Sequence, residues 1–372
     1  MILLIFLLYF SVVFTSPIQA EDRPSLMSES AILIDTNSGQ ILYDKNSKKK
    51  MYPASITKIV TGILAIEEGN LNDIVTVSKN ATETHGTSVY LLENEKVKLK
   101  RLVQGLLINS GNDAGTAIAE HFSGSQTAFA EKMNDFVKTE IGITDSNFTN
   151  PHGLFNKNHY TTAYDMAKIS QYAMKNSIFR EIVSTEQLKW DGEGWKTTIY
   201  NHHKMLGNYK GVTGIKNGYV PESGYTLVTS ATRNGMDLIA VTLGARTSQS
   251  AYNDTTALLD FGFSNYTLKT LSEDKVYNDE KKNKYKLKKQ RYFTVPKDFE
   301  ISRYIREGDL IIENKNGTVL FEQELKKINK TSSKKRTIKS SEPSEDGKKQ
   351  SQNSQWIIQV LDFTSLLNYI VI

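Results

Sequence analysis

The stretch MYPASITK, residues 51–58, ends a polar, lysine-rich loop and opens the apolar run Ile59–Ala65. Pro53 followed by Ser55 is typical of a helix N-terminus. Because residues three apart share one face of a helix, we expect the Lys58 amine to lie beside the Ser55 hydroxyl. A hydroxyl next to an amine that can act as a base is a nucleophile arrangement. The unpaired backbone N–H groups of a helix start also favour developing negative charge.

The Ser-x-x-Lys spacing is a weak signal by itself, because short motifs recur by chance. The same spacing occurs in three polar segments, which we interpret as chance matches: Ser47–Lys50, Ser272–Lys275 and Ser332–Lys335. Ser55–Lys58 differs from them in its place at the head of an apolar helix. Its catalytic interpretation therefore depends on companion motifs elsewhere in the chain.

The composition limits the possible classes of protein. A chain of 372 residues is long enough for two or three domains. Its 39% hydrophobic and 23% charged content excludes wholesale disorder. A net charge of +5 does not indicate a nucleic-acid binder, and we expect no nucleic-acid partner. The sequence has no cysteine, which rules out disulfides, thiol catalysis and Cys-ligated metal and is compatible with export.

Residues 1–20 resemble a secretory signal peptide cleaved after Ala20, since the apolar run Ile2–Phe14 is followed by small residues. No Lys or Arg precedes the run, so either the export signal is weak or the true start lies upstream. An uncleaved membrane anchor is the alternative, although the run is short for a membrane span. Both interpretations predict an exported protein at the extracytoplasmic face of the membrane or in the cell wall.

Residues 21–265 are expected to form one α/β (α+β) domain. Two apolar segments flank the turn Asn37-Ser38-Gly39 and predict a β-hairpin. Four helices are expected next, over Leu99–Leu107, Ala114–Phe122, Ala128–Val137 and Ala163–Met174. Three strands and a closing helix follow, over Gly214–Tyr219, Tyr225–Ser230, Leu238–Leu243 and Ala251–Phe263. This order predicts a sheet that takes strands from both ends of the segment.

The C-terminal third changes character. Short alternating segments predict a small β-rich domain over residues 266–325, and the Lys-, Ser- and Glu-rich residues 326–354 predict a basic, disordered linker. Residues 355–372 are apolar except for a polar stripe at every third position, which is typical of an amphipathic helix lying at a membrane surface. The cationic linker would add attraction to anionic lipid. A helix docked on the protein itself is the alternative.

Two companion motifs follow Ser55 in the chain. Ser110-Gly111-Asn112 falls between two predicted helices and offers a hydroxyl and a carboxamide at alternate positions. Lys216-Asn217-Gly218 falls in a predicted strand, where Gly218 would let a substrate backbone approach closely. Each motif is weak alone, since Ser78-Lys79-Asn80 and Lys315-Asn316-Gly317 match the same patterns. The ordered set of helix start, inter-helix loop and strand is far more specific.

The set resembles the serine D-alanyl-D-alanine carboxypeptidases among the low-molecular-mass penicillin-binding proteins. The resemblance covers about Ser30 to Phe263 and includes the strings Thr149–Leu154, Ala163–Ala167 and Gly214–Tyr219. It implies a β-lactamase/transpeptidase-like domain with an antiparallel sheet and a helical subdomain, followed by a small β-rich domain. It also implies that no metal or cofactor is needed.

The resemblance further implies roles in cleaving peptidoglycan stem peptides. Ser55 would attack the carbonyl of the penultimate D-alanine, and Lys58 would take the hydroxyl proton. Ser110 would relay a proton toward the leaving D-alanine with the help of Lys216, while Asn112 would hold the substrate amide. Water would then release the acyl-enzyme, whereas a β-lactam would acylate the serine and remain bound.

The backbone N–H groups of Ser55 and Tyr219 would form the oxyanion hole in the same scheme. Lysine is a poor base at its reference pKa of about 10.4. Burial and a second nearby ammonium, here that of Lys216, would both lower the pKa of Lys58 and so make it a better base. Among the histidines, His152 is a candidate at the cleft edge, although a structural loop role is favoured. The pair His202-His203 is expected at the surface.

One residue departs from the family pattern, since Asn217 stands where the family usually has Thr. The resemblance implies that the Thr hydroxyl holds the terminal carboxylate of the substrate, and Asn is longer and less compact. Three functional hypotheses therefore stay open: an active carboxypeptidase, a non-catalytic peptidoglycan-binding or regulatory protein, and an enzyme with a changed reaction such as D,D-endopeptidase cleavage or β-lactam hydrolysis.

Overall fold

A computed structural model describes residues 23–297 and 300–328. The expected signal peptide, the linker from residue 329 onward and the C-terminal amphipathic segment lie outside the described residues. None of the described helices is both long enough and apolar enough to cross a lipid bilayer.

The chain from Ser30 to Asn265 alternates between strands and helices. The first half contains β1 (Ser30–Asp35), β2 (Ile41–Lys45), a 3₁₀ turn (Ala54–Thr57), α1 (Lys58–Glu68), β3 (Ile74–Thr76), α2 (Lys79–Thr82), β4 (Lys96–Lys98), α3 (Leu99–Ile108), α4 (Asn112–Ser123) and α5 (Gln126–Phe136). A π-helical turn (Val137–Ile141) follows, and then α6 (Ala163–Ala173), α7 (Ser177–Val183), β5 (Gln187–Asp191), β6 (Lys196–Tyr200), β7 (Val212–Val220), β8 (Gly224–Arg233), β9 (Met236–Ala245) and α8 (Ser248–Asn265).

The central sheet has five antiparallel strands in the order β2-β1-β9-β8-β7. The N-terminal β1 therefore pairs with β9, in the register Leu33↔Ala240, which confirms the expected sheet built from both ends of the segment. Both faces of the sheet are buried. Ile32 and Ile34 of β1 face the larger core with α1, whereas Leu33 faces a second core with α8, as the two-residue period of a strand requires.

Helix α1 lies at the centre of the larger core, because every residue from Lys58 to Ala65 is buried. Residues of α3, α4, α5 and α6 pack in the same core and make up the helical part of the domain. The four predicted middle helices, the closing helix and all three C-terminal strands are confirmed within a few residues. One difference affects the site, since Asn112 is the first residue of α4 and not a loop residue.

The residues after Asn265 form short antiparallel strands, in line with the expected β-rich region. These are β10 (Tyr266–Leu271), β11 (Tyr277–Asn278), β12 (Lys284–Lys286), β13 (Arg291–Pro296), β14 (Ile301–Arg306), β15 (Asp309–Asn314), β16 (Val319–Glu324) and β17 (Lys326–Lys327). They pair as β10-β13, β11-β12-β17 and β14-β15-β16 around a separate apolar core that includes Phe293 and Leu310. Since β17 pairs with β12, ordered pairing continues two residues past the expected end at residue 325.

Candidate active site

The turn before α1 brings Ser55 and Lys58 together. Ser55 lies in the 3₁₀ turn and Lys58 is the first residue of α1, so the two side chains share one face, as the three-residue spacing predicted. Lys58 Nζ donates a hydrogen bond to Ser55 Oγ at 2.9 Å and another to the backbone oxygen of His152 at 2.8 Å. Lys58 is fully buried, whereas Ser55 is partly exposed and reachable by a ligand.

The environment of Lys58 makes it a base. Burial lowers the pKa of Lys58 well below its ordinary value, and the charge of Lys216 lowers it further, while Asp113 acts in the opposite direction. Burial also lowers the pKa of Lys216, to about 7. These are the two causes that the sequence led us to expect. A lysine with a depressed pKa carries the free electron pair that can accept the Ser55 proton near neutral pH.

Strand β7 forms one wall beside the nucleophile and is the outermost strand of the central sheet. A Cβ atom on Gly218 would lie only 2.6 Å from the backbone nitrogen of Ser55 and 2.7 Å from Thr226 Oγ1. Thr226 Oγ1 in turn donates to the backbone oxygen of Pro53 at 2.9 Å. The backbone that approaches Gly218 closely in the structure is that of Ser55, and the expected approach of a substrate backbone stays a prediction.

The other family residues of β7 follow the alternation of a strand. Lys216 is buried, and its Nζ donates to the backbone oxygen of Asn217 at 3.0 Å and lies 3.5 Å from Asn217 Oδ1. Asn217 is half-buried, and Tyr219 is exposed. The Tyr219 ring packs on that of Tyr225 in the next strand, with the ring centroids 4.5 Å apart. The strand thus brings an ammonium, a carboxamide and an aromatic ring to the same sheet edge.

Ser110 and Asn112 lie at the junction of α3 and α4. Ser110 is buried and adopts the left-handed backbone region with φ +65°, which a non-glycine residue rarely does. The backbone nitrogen of Asn112 donates to the backbone oxygen of Thr87 at 2.7 Å, and the side-chain Nδ2 of Asn112 donates to the backbone oxygen of His85 at 2.6 Å. In the described part of the chain, no hydrogen bond joins the Ser110 hydroxyl to either lysine.

Asp113 is a site residue that the sequence analysis missed. Its carboxylate is almost fully buried and accepts hydrogen bonds from Ser88 Oγ and from the backbone nitrogens of Val89 and Leu91. It thereby ties the loop before β4 to the turn that carries Ser110. An acidic residue in the first turn of a helix is common as a partner of the helix dipole, so the pattern alone gave no reason to single it out.

The histidines mainly support the structure. His152 is buried, its Nε2 lies 2.9 Å from Gln126 Oε1, and burial lowers its pKa to about 3, which fits the favoured structural role. Its contribution to the site is the backbone oxygen that binds Lys58. The expectation of a surface position is wrong for His203, which is buried with Nε2 2.8 Å from Thr229 Oγ1. Burial lowers the pKa of His203 to about 4.

Comparison with known proteins points to one family. The family model described as D-alanyl-D-alanine carboxypeptidase matches residues 18–247. D-alanyl-D-alanine carboxypeptidase DacF of Bacillus subtilis is 35% identical over 288 residues, which cover 76% of this chain and 73% of that protein. DacA of Haemophilus influenzae is also 35% identical, over 74% of this chain and 73% of its own length.

Solved structures agree with this assignment. Penicillin binding protein 5 from Haemophilus influenzae matches with a TM-score of 0.73 and 28% identity, over 82% of this chain and 98% of its own. The Streptomyces K15 DD-transpeptidase matches with a TM-score of 0.61 and 29% identity, over 65% of this chain and 99% of its own. The expected transpeptidase-like fold is thereby confirmed. The chain belongs to the D-alanyl-D-alanine carboxypeptidase family of low-molecular-mass penicillin-binding proteins.

Proposed function

We propose that the protein is a serine-type D-alanyl-D-alanine carboxypeptidase that removes the terminal D-alanine from peptidoglycan stem peptides and is inhibited by β-lactams. The observation that carries the proposal is the 2.9 Å hydrogen bond between Ser55 Oγ and the fully buried Lys58 Nζ. A serine attacks a carbonyl only when a base takes its proton. The lowered pKa of Lys58 lets its amine act as that base, and among the described residues Lys58 is the side chain that hydrogen-bonds to the Ser55 hydroxyl.

In the first half of the reaction, neutral Lys58 accepts the Ser55 proton as Oγ attacks the carbonyl carbon of the penultimate D-alanine. The tetrahedral intermediate collapses when its C–N bond breaks, and the leaving amine takes a proton that reaches it through Ser110. D-alanine departs, and the peptide remains as an ester on Ser55. Water then attacks this ester, with Lys58 accepting the water proton and returning it to Oγ. Each proton taken from a nucleophile is thus delivered to a leaving group.

The negative charge of both intermediates develops on the former carbonyl oxygen. We assign the oxyanion hole to the backbone N–H groups of Ser55 and Tyr219. The close approach of Gly218 to the Ser55 nitrogen supports this pairing, because it draws the edge of β7 against the nucleophile turn. Preorganised donors of this kind are usually the largest electrostatic contribution to acyl transfer.

Substrate recognition is assigned to the remaining motif residues, which lie at the start of α4 and on β7. Asn112 would hold the substrate amide, since one N–H of its Nδ2 is engaged by His85 and, among the described residues, no donor hydrogen-bonds to its Oδ1. Lys216 and Asn217 would meet the terminal carboxylate from β7, with Gly218 and Tyr219 completing the strand that the peptide lies along. The ammonium of Lys216 is favoured for an anionic group because it is protonated below pH of about 7.

Covalent labelling by a fluorescent penicillin tests the nucleophile. Wild-type protein is expected to be labelled, and Ser55→Ala and Lys58→Ala are expected to lose the label while keeping the wild-type circular dichroism spectrum. D-alanine release from a stem pentapeptide then tests the reaction. A well-folded wild type that is neither labelled nor active would refute the proposal.

Asn217 motivates the second candidate, a weakly active or non-catalytic peptidoglycan-binding protein. Its Oδ1 lies 3.5 Å from Lys216 Nζ, so the carboxamide can draw on the same ammonium that would bind the substrate carboxylate. Asn217→Thr distinguishes the candidates: a rise of tenfold or more in kcat/KM would mean that Asn217 restrains turnover. Product analysis on cross-linked muropeptides and on penicillin separates carboxypeptidase from D,D-endopeptidase and β-lactam hydrolysis.

The domain layout and the cellular setting are proposed from the sequence pattern. Residues 1–20 direct export, 21–265 form the catalytic domain, 266–325 the β-rich domain, 326–354 the cationic linker, and 355–372 a helix at the membrane surface. Deleting residues 355–372 from protein made without the signal peptide is expected to abolish co-sedimentation with anionic vesicles. Unchanged pelleting of the truncated protein would disprove the membrane role.

A further inference from the structure

A partly exposed apolar patch with two aromatic rings lies beside the turn that carries Ser110, and no step of the proposed reaction uses it. We define this aromatic ledge as Tyr90, Leu92 and Trp195. Tyr90 is 60% exposed and Leu92 is 48% exposed, whereas Trp195 is half-buried and packs against the larger core. The Tyr90 and Trp195 rings meet edge to face, with centroids 5.0 Å apart. Exposed apolar patches of this kind mark binding surfaces more often than isolated surface residues do.

The backbone of Tyr90 is strained. Its φ of +57° falls in the left-handed region, where a bulky residue is a genuine outlier. Such strain persists only where the surroundings hold it, and it concentrates at ligand sites. The Tyr90 amide nitrogen donates to Ser88 Oγ at 2.9 Å, which fixes the residue in this conformation. An aromatic residue at position 90 therefore costs backbone strain that Gly or Asn would avoid.

The ledge is held rigidly from below by Glu95 and Gly194. Glu95 is buried, and its two oxygens accept from the backbone nitrogens of Leu92 at 2.9 Å and Glu193 at 3.0 Å. A Cβ on Gly194 would lie 2.4 Å from the Tyr90 backbone oxygen, so the turn between β5 and β6 packs directly on the Tyr90 loop. The two aromatic rings therefore come from different chain segments that are locked together.

The loop that carries Tyr90 is also hydrogen-bonded to the junction of α3 and α4, which carries Ser110 and Asn112. Asp113 accepts from Ser88 Oγ and from the backbone nitrogens on both sides of Tyr90, at Val89 and Leu91. Asn109 Nδ2 donates to the Ser88 backbone oxygen at 2.9 Å, from the residue directly before Ser110. The loop that carries Tyr90 is therefore hydrogen-bonded to the residues on either side of the Ser110–Asn112 motif, which places the ledge next to the catalytic turn.

We propose that the aromatic ledge is a subsite for a pyranose ring of the glycan strand to which the stem peptide is attached. The inference rests on the proposed function, because that substrate is a peptide carried by an N-acetylated glycan. A pyranose has an apolar C–H face and a rim of hydroxyl groups. The ledge matches both, since it offers ring faces together with two polar ends. In the described chain, neither the Tyr90 hydroxyl nor Trp195 Nε1 makes a hydrogen bond within the protein.

A comparison of two substrates tests the subsite. One is the free stem pentapeptide, and the other is the same pentapeptide on its N-acetylglucosamine–N-acetylmuramic acid disaccharide. Wild type is expected to show a higher kcat/KM for the disaccharide form. Tyr90→Asn removes the ring while tolerating the positive φ, and it is expected to lower the ratio of the two kcat/KM values by about tenfold. Tyr90→Phe keeps the ring and is expected to keep most of the preference.

Tyr200→Ala is the matched control, because Tyr200 is 61% exposed on β6 of the same hairpin but lies outside the ledge. It is expected to leave the substrate ratio unchanged. Equal kcat/KM values of wild type for both substrates would overturn the inference. So would an equal loss on both substrates in Tyr90→Asn, since that result would mean that the ring only supports the catalytic turn.

A binding measurement separates this inference from the proposed function. Ser55→Ala protein is titrated calorimetrically with a peptide-free glycan oligomer of the same two sugars. Binding that is lost in Ser55→Ala/Tyr90→Asn and kept in Ser55→Ala/Tyr200→Ala would support the subsite even if the wild type released no D-alanine. Absence of binding to Ser55→Ala, or binding indifferent to Tyr90→Asn, would refute the subsite while leaving the carboxypeptidase proposal standing.

Discussion

The close approach of β7 to the nucleophile turn predicts a large effect from one added methyl group. In Gly218→Ala, the new Cβ would lie 2.6 Å from the Ser55 nitrogen, 2.7 Å from Thr226 Oγ1 and 3.2 Å from the Ala54 Cβ. Ordinary van der Waals contact begins at 3.4 Å, so β7 and the turn must separate by about 0.8 Å. Two of the three neighbours belong to the nucleophile turn itself, so no flexible side chain can absorb the shift.

The separation acts on both oxyanion donors, because one belongs to Ser55 and the other to Tyr219. A misplacement near 1 Å at a catalytic centre costs about 100-fold in rate. We therefore expect Gly218→Ala to lower the second-order rate constant for acylation by penicillin by about 100-fold. Forcing a methyl group into a packed site should also cost roughly 1–3 kcal/mol of stability. Stopped-flow fluorescence gives the rate, and urea unfolding gives the stability.

Gly115→Ala is the control, because it adds the same methyl on α4, three residues after Asn112. Its Cβ would lie 3.2 Å from Leu106 Cδ1, which a small side-chain movement relieves. This variant should acylate at a near-normal rate. If Gly218→Ala acylated within threefold of wild type, the assignment of the oxyanion hole to the junction of β7 and the turn would be refuted. Loss of acylation in both glycine variants would show that the assay reports general damage.

Three further predictions concern buried ionisable groups. Burial lowers the Lys216 pKa to about 7, and the unfolded chain keeps that proton up to about 10.4, so stability rises with pH between these values. Lys216→Met should flatten this rise in urea unfolding at pH 7, 8 and 9, and it should stabilise the protein at pH 7 while slowing acylation. Asp113→Asn should cost roughly 2–3 kcal/mol, because the carboxylate accepts from three donors of the neighbouring loop. Asp113→Asn should also shift the acidic side of the pH profile of the acylation rate to lower pH, since the charge of Asp113 raises the Lys58 pKa. Burial lowers the His203 pKa to about 4, so stability should fall as pH drops from about 6.5 toward 4, and His203→Gln should make the fall shallower in thermal melts.

Much of the fold could be predicted from periodicity, because long elements carry a repeated signal. The middle helices and β7 to β9 show the periods of 3.6 and 2 over enough residues to stand out. The short strands β3 to β6 were not predicted. Strands of three to five residues that pair only with each other, such as Ile74–Thr76 with Lys96–Lys98, contain too few residues for a period to show. Their pairing depends on which distant segments the helices bring together.

The residues of the candidate site likewise fall into those that the sequence predicts and those that it does not. Ser55 and Lys58 could be found because their geometry follows from local helix spacing, and the structure bears this out at 2.9 Å. Asp113 and Glu95 could not be found, because their hydrogen bonds join segments tens of residues apart. The burial of His203 depends likewise on Thr229 of β8. Motif residues are thus readable from spacing, whereas the residues that hold them in place are not.

The two buried lysines explain why this support is needed. Each ammonium is costly to bury, and the two repel one another, which is what lowers the Lys58 pKa. Without compensating contacts, the two ammonium groups would favour an open, hydrated site, and Lys58 would regain its ordinary pKa. The site resists opening because the His152 backbone oxygen holds Lys58, Asp113 offsets part of the positive charge, and Gly218 lets β7 close against the Ser55 turn. The structural residues therefore sustain the chemistry by keeping water away from the base. Weakening the contact to the His152 backbone oxygen or the closure at Gly218 should raise the Lys58 pKa or loosen the oxyanion hole before it unfolds the chain, whereas removing the Asp113 charge should lower the Lys58 pKa.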